Sequence, residues 1–406
     1  MSNPAIFTIL PNAFYDGSQG GQLSIEDVVN MARRSEEVGV DGFFLADSLA
    51  FDVSFSRYNG FEPLTLAAAI LARTERIVVI VTLSTTFTHP YNVARYLTSL
   101  SHIGHGRIGV NLVTSFDGER NFGLPDLPAP EERYDRAGEF IDVVQQLERS
   151  WGTNQDSWTE IGFSGKYFNV QGPLSSKPYP SPILVGQSGS SPPGIGLAAR
   201  VADFVFTAGQ VNHIQWRYFE ALKDQCMKTR SDNTRPTILT GLAPIIGDTA
   251  KEAEEYEREL TGVLPFEEQL HRLEEVLGID LSDVDPKDDF PKKRLLPIED
   301  VVRRQGRAAD IYEIIERNDL TLAELVRTQN RSNGHRTVVG TADQVAKEIG
   351  QIADAGFTDG FIVLLPKLAN VADKVFTELI PRLERNGHLT PSSGADEARS
   401  RFLRRV

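Results

Sequence analysis

Short apolar runs rich in β-branched residues recur along the chain, at 6–10, 42–46, 77–83, 108–113, 183–186, 204–206, 237–246 and 361–365. Between them, 24–38, 64–73, 92–103, 133–149, 342–355 and 372–384 place apolar residues at helical spacing. Near-continuous apolar strands separated by helices predict a parallel sheet covered on both faces. Ser24 followed by Asp27 reads as a capping-box start, and Gly39 as the stop of the first helix. Eight such strands in sequence predict a (β/α)8 TIM barrel rather than an open doubly wound sheet.

Two stretches break the alternation. Residues 152–182 are rich in proline beside aromatics and read as an irregular loop with a hairpin around 163–170. Residues 249–334 are charged and mainly helical, long enough to form a lid beside the active face. The expectation is a single domain over 1–388 with these two insertions, followed by a polar, mobile tail over 389–406.

Composition narrows the class. The chain has 406 residues, with 42 Lys and Arg against 56 Asp and Glu, a formal net charge of −14. No basic stripe is available for nucleic acid or anionic lipid. The lone Cys226 excludes an intrachain disulfide and every multi-thiolate metal site. No secretory leader or run long enough to span a bilayer is evident, so a cytoplasmic protein is expected.

In a barrel, chemistry sits at the C-terminal ends of strands. Those positions hold Asp47, Thr85, Thr86, Asn111, Thr114, Ser115 and the stretch 187–191. Asn111 lies inside an apolar strand and needs a partner. Gly189, Ser190 and Ser191 follow a strand and open a helix, which suits either an anion site or an ordinary turn. Gly104, Gly106 and Gly109 match a dinucleotide pattern in letters but stand between a helix and a strand, the wrong order. His102 and His105 have metal-like spacing without an acidic or cysteine partner, and read as residues of a helix end. His335, where the long insertion rejoins the barrel, suits a general acid or base or a plain loop histidine, and His89 has the same standing.

These pieces together resemble the bacterial luciferase-like flavin monooxygenases, in the branch of nitrilotriacetate and dibenzothiophene-sulfone monooxygenases. The matching segments are Gly42-Phe43-Phe44-Leu45-Ala46-Asp47, Phe61-Glu62-Pro63, Asn111-Leu112-Val113-Thr114-Ser115, Arg120-Asn121-Phe122-Gly123, Glu132-Arg133-Tyr134-Asp135-Arg136 and Val339-Gly340-Thr341. The resemblance runs to about Gly387. It implies a barrel enzyme using reduced FMN and O2, with FMN delivered by a separate NAD(P)H:flavin reductase, acting on a small organic substrate. By the same resemblance Asp47, Thr85, Asn111 and Tyr134 approach the flavin or its ribityl chain, Ser190 and Ser191 hold its phosphate, and His335 faces the substrate. Relatives often carry a histidine where Pro130 stands, and an acidic residue in place of His89. A homodimer or homotetramer is expected. The alternatives are a deazaflavin-dependent hydride-transfer enzyme on the same barrel and a non-catalytic flavin-binding protein.

Overall fold

The computed structural model describes residues 5–11, 23–50, 60–115, 117–152, 157–262, 264–301, 304–366, 368–403 and 405. Eight parallel strands close into a ring: β1 (Ile6–Leu10), β2 (Gly42–Leu45), β3 (Val78–Ser84), β4 (Ile108–Val113), β7 (Leu184–Gln187), β8 (Phe204–Thr207), β9 (Thr237–Ile246) and β11 (Gly360–Leu364). They are the eight runs read from the sequence. β5 (Phe163–Ser164) and β6 (Asn169–Val170) form the expected antiparallel hairpin in the first insertion. β10 (Arg336–Gly340) was not anticipated: it pairs with 242–246 of β9, beyond the stretch where β8 pairs.

The strands are apolar on both sides because each side has a core to fill. In β3, Val78 and Ile80 point into the barrel with Ile6, Phe44, Leu184, Phe204, Leu239 and Ile362. Val79, Val81 and Leu83 point outward to the helices. The outer layer is α1 (Ile25–Glu37), α2 (Pro63–Leu71), α3 (Pro90–Ile103), α4 (Pro130–Glu148), α5 (Pro192–Val201) and α6 (Asn212–Thr229), completed by elements after the long insertion. The Ser24–Asp27 capping box is present, and Gly39 follows the α1 C-cap at φ +87°.

The long insertion contributes α7 (Ala250–Thr261), α8 (Phe266–Leu277), α9 (Gln305–Arg317) and α10 (Leu322–Asn330). These helices have their own core, in which Leu273, Leu277, Ile311, Ile315, Leu322 and Leu325 are buried. Arg217 on α6 ties that core to the barrel through Asp310 at 2.6 Å. The chain then runs through α11 (Ala342–Asp354), α12 (Ala369–Lys374) and α13 (Ile380–Arg385) to α14 (Ala395–Ser400).

The end of the chain departs from expectation. It is not a loose tail but the floor of the barrel. Ala398 and Phe402 are fully buried in the inner core, with the Phe402 ring 5.9 Å from that of Phe204. Arg401 donates to the fully buried Asp41 at 2.9 Å, and Arg405 pairs through its backbone with Arg235. The N-terminal end of the barrel interior is thereby plugged. Among the described residues no helix is long and apolar enough to cross a membrane.

Candidate active site

A cavity of about 310 Å³ opens at the C-terminal ends of β2, β3, β4 and β7. That volume is at the lower end of the range for small-molecule sites. Asp47, Thr114, Ser115, Tyr134, Gly189, Ser190 and Ser191 all line it. Asp47 follows β2, and burial lifts its carboxyl to about 6, against the pull of the Ser48 backbone N–H, with Glu62 adding repulsion. Ser115 adopts φ +55°, a left-handed conformation uncommon outside glycine. Arg133 donates to its carbonyl, and its hydroxyl donates to Ser84 Oγ at 2.7 Å. Such backbone strain persists where neighbours hold it, and it concentrates at functional sites.

Two expected residues stand one layer behind the wall. Asn111 finds the partners its burial demands: its Oδ1 accepts from Ser188 Oγ at 2.7 Å, and its Nδ2 donates to Thr82 Oγ1 at 3.3 Å. Both partners line the cavity. Thr85 is fully buried and donates from its N–H (2.9 Å) and its hydroxyl (3.2 Å) to the Val113 carbonyl, so it fixes the end of β3 against β4.

The two histidines are separated. His89 is the exposed N-cap of α3, where its Nδ1 accepts from Tyr91 N at 3.3 Å, and the structure does not bring it to the cavity. His335 stacks on Phe206 with centroids 5.2 Å apart and planes 5° from parallel, and its Nδ1 has no hydrogen-bond partner among the described residues. Burial pushes it down to about 3, and the neighbouring Arg307 guanidinium pushes the same way. His335 is therefore neutral near pH 7, an acceptor rather than an acid. Between it and the cavity lies Arg307, which lines the wall and donates to the Gly334 carbonyl at 2.9 Å. Gly334 sits at φ +68°, a conformation strained for other residues, and a Cβ there would displace the Arg307 guanidinium.

Sequence reasoning missed the basic half of the wall. Arg133, Arg304 and Arg307 line the cavity together with Ser84, Thr82, Gln187 and Asp117. Arg133 stood inside a recognised segment, but Arg304 and Arg307 come from the long insertion, whose sequence says nothing of which strand end it covers. Pro130, standing where relatives often carry histidine, also lines the wall. His102 lies elsewhere, with its Nε2 2.9 Å from the Lys177 carbonyl.

A closed parallel barrel, plugged at one end and carrying a cavity lined by hydroxyls, guanidiniums and carboxyls at the other, has the architecture of a (β/α)8 barrel enzyme. The chain matches the family described as luciferase-like monooxygenase over residues 5–359, and it belongs to that family. It is 31% identical to N-acetyl-S-(2-succino)cysteine monooxygenase of Bacillus subtilis (strain 168), over 92% of this chain and 88% of that protein. It is also 31% identical to nitrilotriacetate monooxygenase component A of Aminobacter aminovorans, over 89% of this chain and 86% of that one. Among solved structures, EDTA monooxygenase (EmoA) from Chelativorans sp. BNC1 superposes with a TM-score of 0.77 and 27% identity, covering 98% of each chain. The chain is an oxidoreductase of monooxygenase type.

Proposed function

We propose that this chain is the cytoplasmic oxygenase half of a two-component system, using reduced FMN and O2 to oxygenate a small organic molecule. The observation that carries this reading is the cavity itself, lined by the Gly189–Ser191 loop, the guanidiniums of Arg133, Arg304 and Arg307, the hydroxyls of Thr82, Ser84, Thr114, Ser115 and Tyr134, and the Asp47 carboxyl. That donor set fits a ligand with a phosphate at one end, a polyhydroxyl chain and a polar ring edge. Reduced FMN, when bound, supplies the oxygenating chemistry with O2.

The protein's own residues do the rest. Ser190 and Ser191 hold the phosphate at the start of α5. Tyr134, Thr114 and Ser115 face the ribityl chain and ring, and Asp47 faces the polar edge of the ring. Asn111 acts by fixing Ser188, and Thr85 by fixing the strand end. The insertion covers the mouth and keeps water out. His335 does not line the cavity; it packs on Phe206 and against Gly241 behind Arg307 and supports the wall from there.

The similarity to proteins named for N-acetyl-S-(2-succino)cysteine and nitrilotriacetate directs the substrate search toward small carboxylated amines and thioethers. The test is incubation with reduced FMN, a panel of such compounds and isotopically labelled O2, read by mass spectrometry. One labelled oxygen atom in a product is the expected result. Turnover that needs no O2 and proceeds only with a deazaflavin would replace this reading with hydride transfer.

A further inference from the structure

A second cavity, of about 500 Å³, lies at the other end of the molecule, beneath the starts of β7 and β8. Its size is within the range of small-molecule sites, and the oxygenase chemistry makes no use of it.

Its apolar walls come from outside the barrel strands as well as from them. Pro178, Tyr179, Pro180 and Pro182 belong to the proline-rich first insertion, and Leu403 to the C-terminal plug. The insertion wall is braced from behind. Tyr179 packs edge-on against the rings of His102 and His105, with centroids 5.6 and 6.3 Å away, and His102 Nε2 donates to the Lys177 carbonyl at 2.9 Å. Gly106, in the turn after α3 at φ +84°, lets the loop come this close: a Cβ there would lie 3.2 Å from the Tyr179 ring. Spacing that imitates a metal pair and a dinucleotide turn thus has a structural use, which is to fix one wall of this cavity.

The polar end carries carboxyls. Glu148 ends α4 and accepts from Ile183 N at 3.0 Å, and Asp203 accepts from Val185 N at 2.9 Å, so the two sit on alternate amides where β7 begins. Asp232, in the loop before β9, adds a third carboxyl to the lining. Against them stand Arg149 in the same lining and Arg399 of α14, which donates to the Pro182 carbonyl. Burial lifts Glu148 to about 7 even though the Ile183 amide, Arg149 and Arg399 all pull it down, while Asp203 pushes it up. The positive charge at hand therefore falls short of what these carboxyls need.

We propose that this cavity binds a small organic cation, an ammonium or guanidinium head on an apolar body. The head sits between Glu148 and Asp203 and supplies the missing charge, and the body lies along Tyr179, the prolines and Leu403. The site is independent of the flavin reading, because it is at the opposite end of the strands. A cation favours the ionised form of Glu148, so binding releases a proton and tightens as the pH rises through about 7.

The test titrates three molecules with similar bodies into the full chain by calorimetry: phenylethylammonium, neutral 2-phenylethanol and anionic phenylacetate. The cation is expected to bind about ten-fold or more tightly than the other two, and up to about ten-fold more tightly at pH 8 than at pH 6. Glu148→Gln keeps an oxygen for Ile183 N but loses the charge, and is expected to lose that preference and its pH dependence together. Arg149→Gln removes a competing charge from an exposed side chain, so it leaves the core intact and is expected to strengthen cation binding. Saturating FMN is expected to leave the cation's affinity unchanged. Absence of saturable cation binding, or equal affinity for the three molecules, would overturn the proposal. Cation binding that ignores both substitutions would place it elsewhere on a chain of net charge −14, and competition with FMN would place it in the barrel mouth; either result overturns the site.

Discussion

Asp47 and His335 are both shifted by burial, in the directions that make each prefer its neutral form. His335 falls from 6.5 to about 3, so between those values the unfolded chain binds a proton that the folded chain refuses. Its share of stability is complete above pH 6.5 and drains away as the pH falls toward 3, at up to about 1.4 kcal/mol per unit. Asp47 runs the other way: the folded chain keeps a proton that the unfolded chain releases, so stability is lost as pH rises from 3.8 through about 6. His335→Ala is therefore expected to lose less stability than the parent between pH 6.5 and about pH 5 in urea unfolding. Parallel curves for the two proteins would contradict the buried neutral state. For the anion loop, Ser191→Asp sets a like charge against phosphate, a repulsion of roughly 4 kcal/mol at about 4 Å and an effective dielectric of about 20. FMN affinity should fall by orders of magnitude and riboflavin affinity much less; an equal loss for both would mean that Ser191 does not meet the phosphate. The wall residues at strand ends, such as Asp47, Thr114 and Ser115, were legible because polar side chains there end apolar runs. His89 misled because the same position also suits a helix N-cap, and the local hydrogen bond to Tyr91 N is what it makes.

Among elements, the C-terminal segment illustrates what periodicity cannot reach. α14 has six residues, less than two turns, and Phe402 is one large apolar residue among charges. No hydrophobic face is visible in so short a run, yet its partners Phe204 and the inner strand residues were waiting for a plug. Phe402→Ala removes a fully buried ring from the barrel floor and is expected to cost about 3–5 kcal/mol of stability. FMN affinity, measured at a temperature where the variant stays folded, should not change, because the floor is at the opposite end from the cavity. A weakened FMN complex would mean that the two ends are coupled. β10 escaped notice for a related reason: it pairs along one side with β9 and is only half buried, so its sequence lacks the all-apolar character of the ring strands. The insertion was read correctly as helical from spacing, whereas its docking depends on Arg217 meeting Asp310 and on Gly306 meeting the serine loop, contacts between residues far apart in the chain.

For the whole molecule, the question is where the electrons come from. An oxygenase needs two per turnover, commonly from a nicotinamide. The one dinucleotide-like glycine pattern lies between α3 and β4, with Gly104 as the helix C-cap and Gly106 in the turn at φ +84°. It therefore presents no helix N-terminus to a pyrophosphate. The barrel floor is filled by Phe402, and the cavity at the other end has about 310 Å³ for flavin and substrate together, under an insertion already in contact with its wall. A second nucleotide has no evident place there. The expected behaviour is that purified chain, FMN, NADH and a substrate yield no product until an unrelated flavin reductase is added, and that chemically reduced FMN replaces the reductase. The reductase should act by diffusion, so product formation depends on its activity and not on its identity. Fast NADH oxidation by this chain alone would contradict this account and require a nicotinamide site that opens only when the insertion moves.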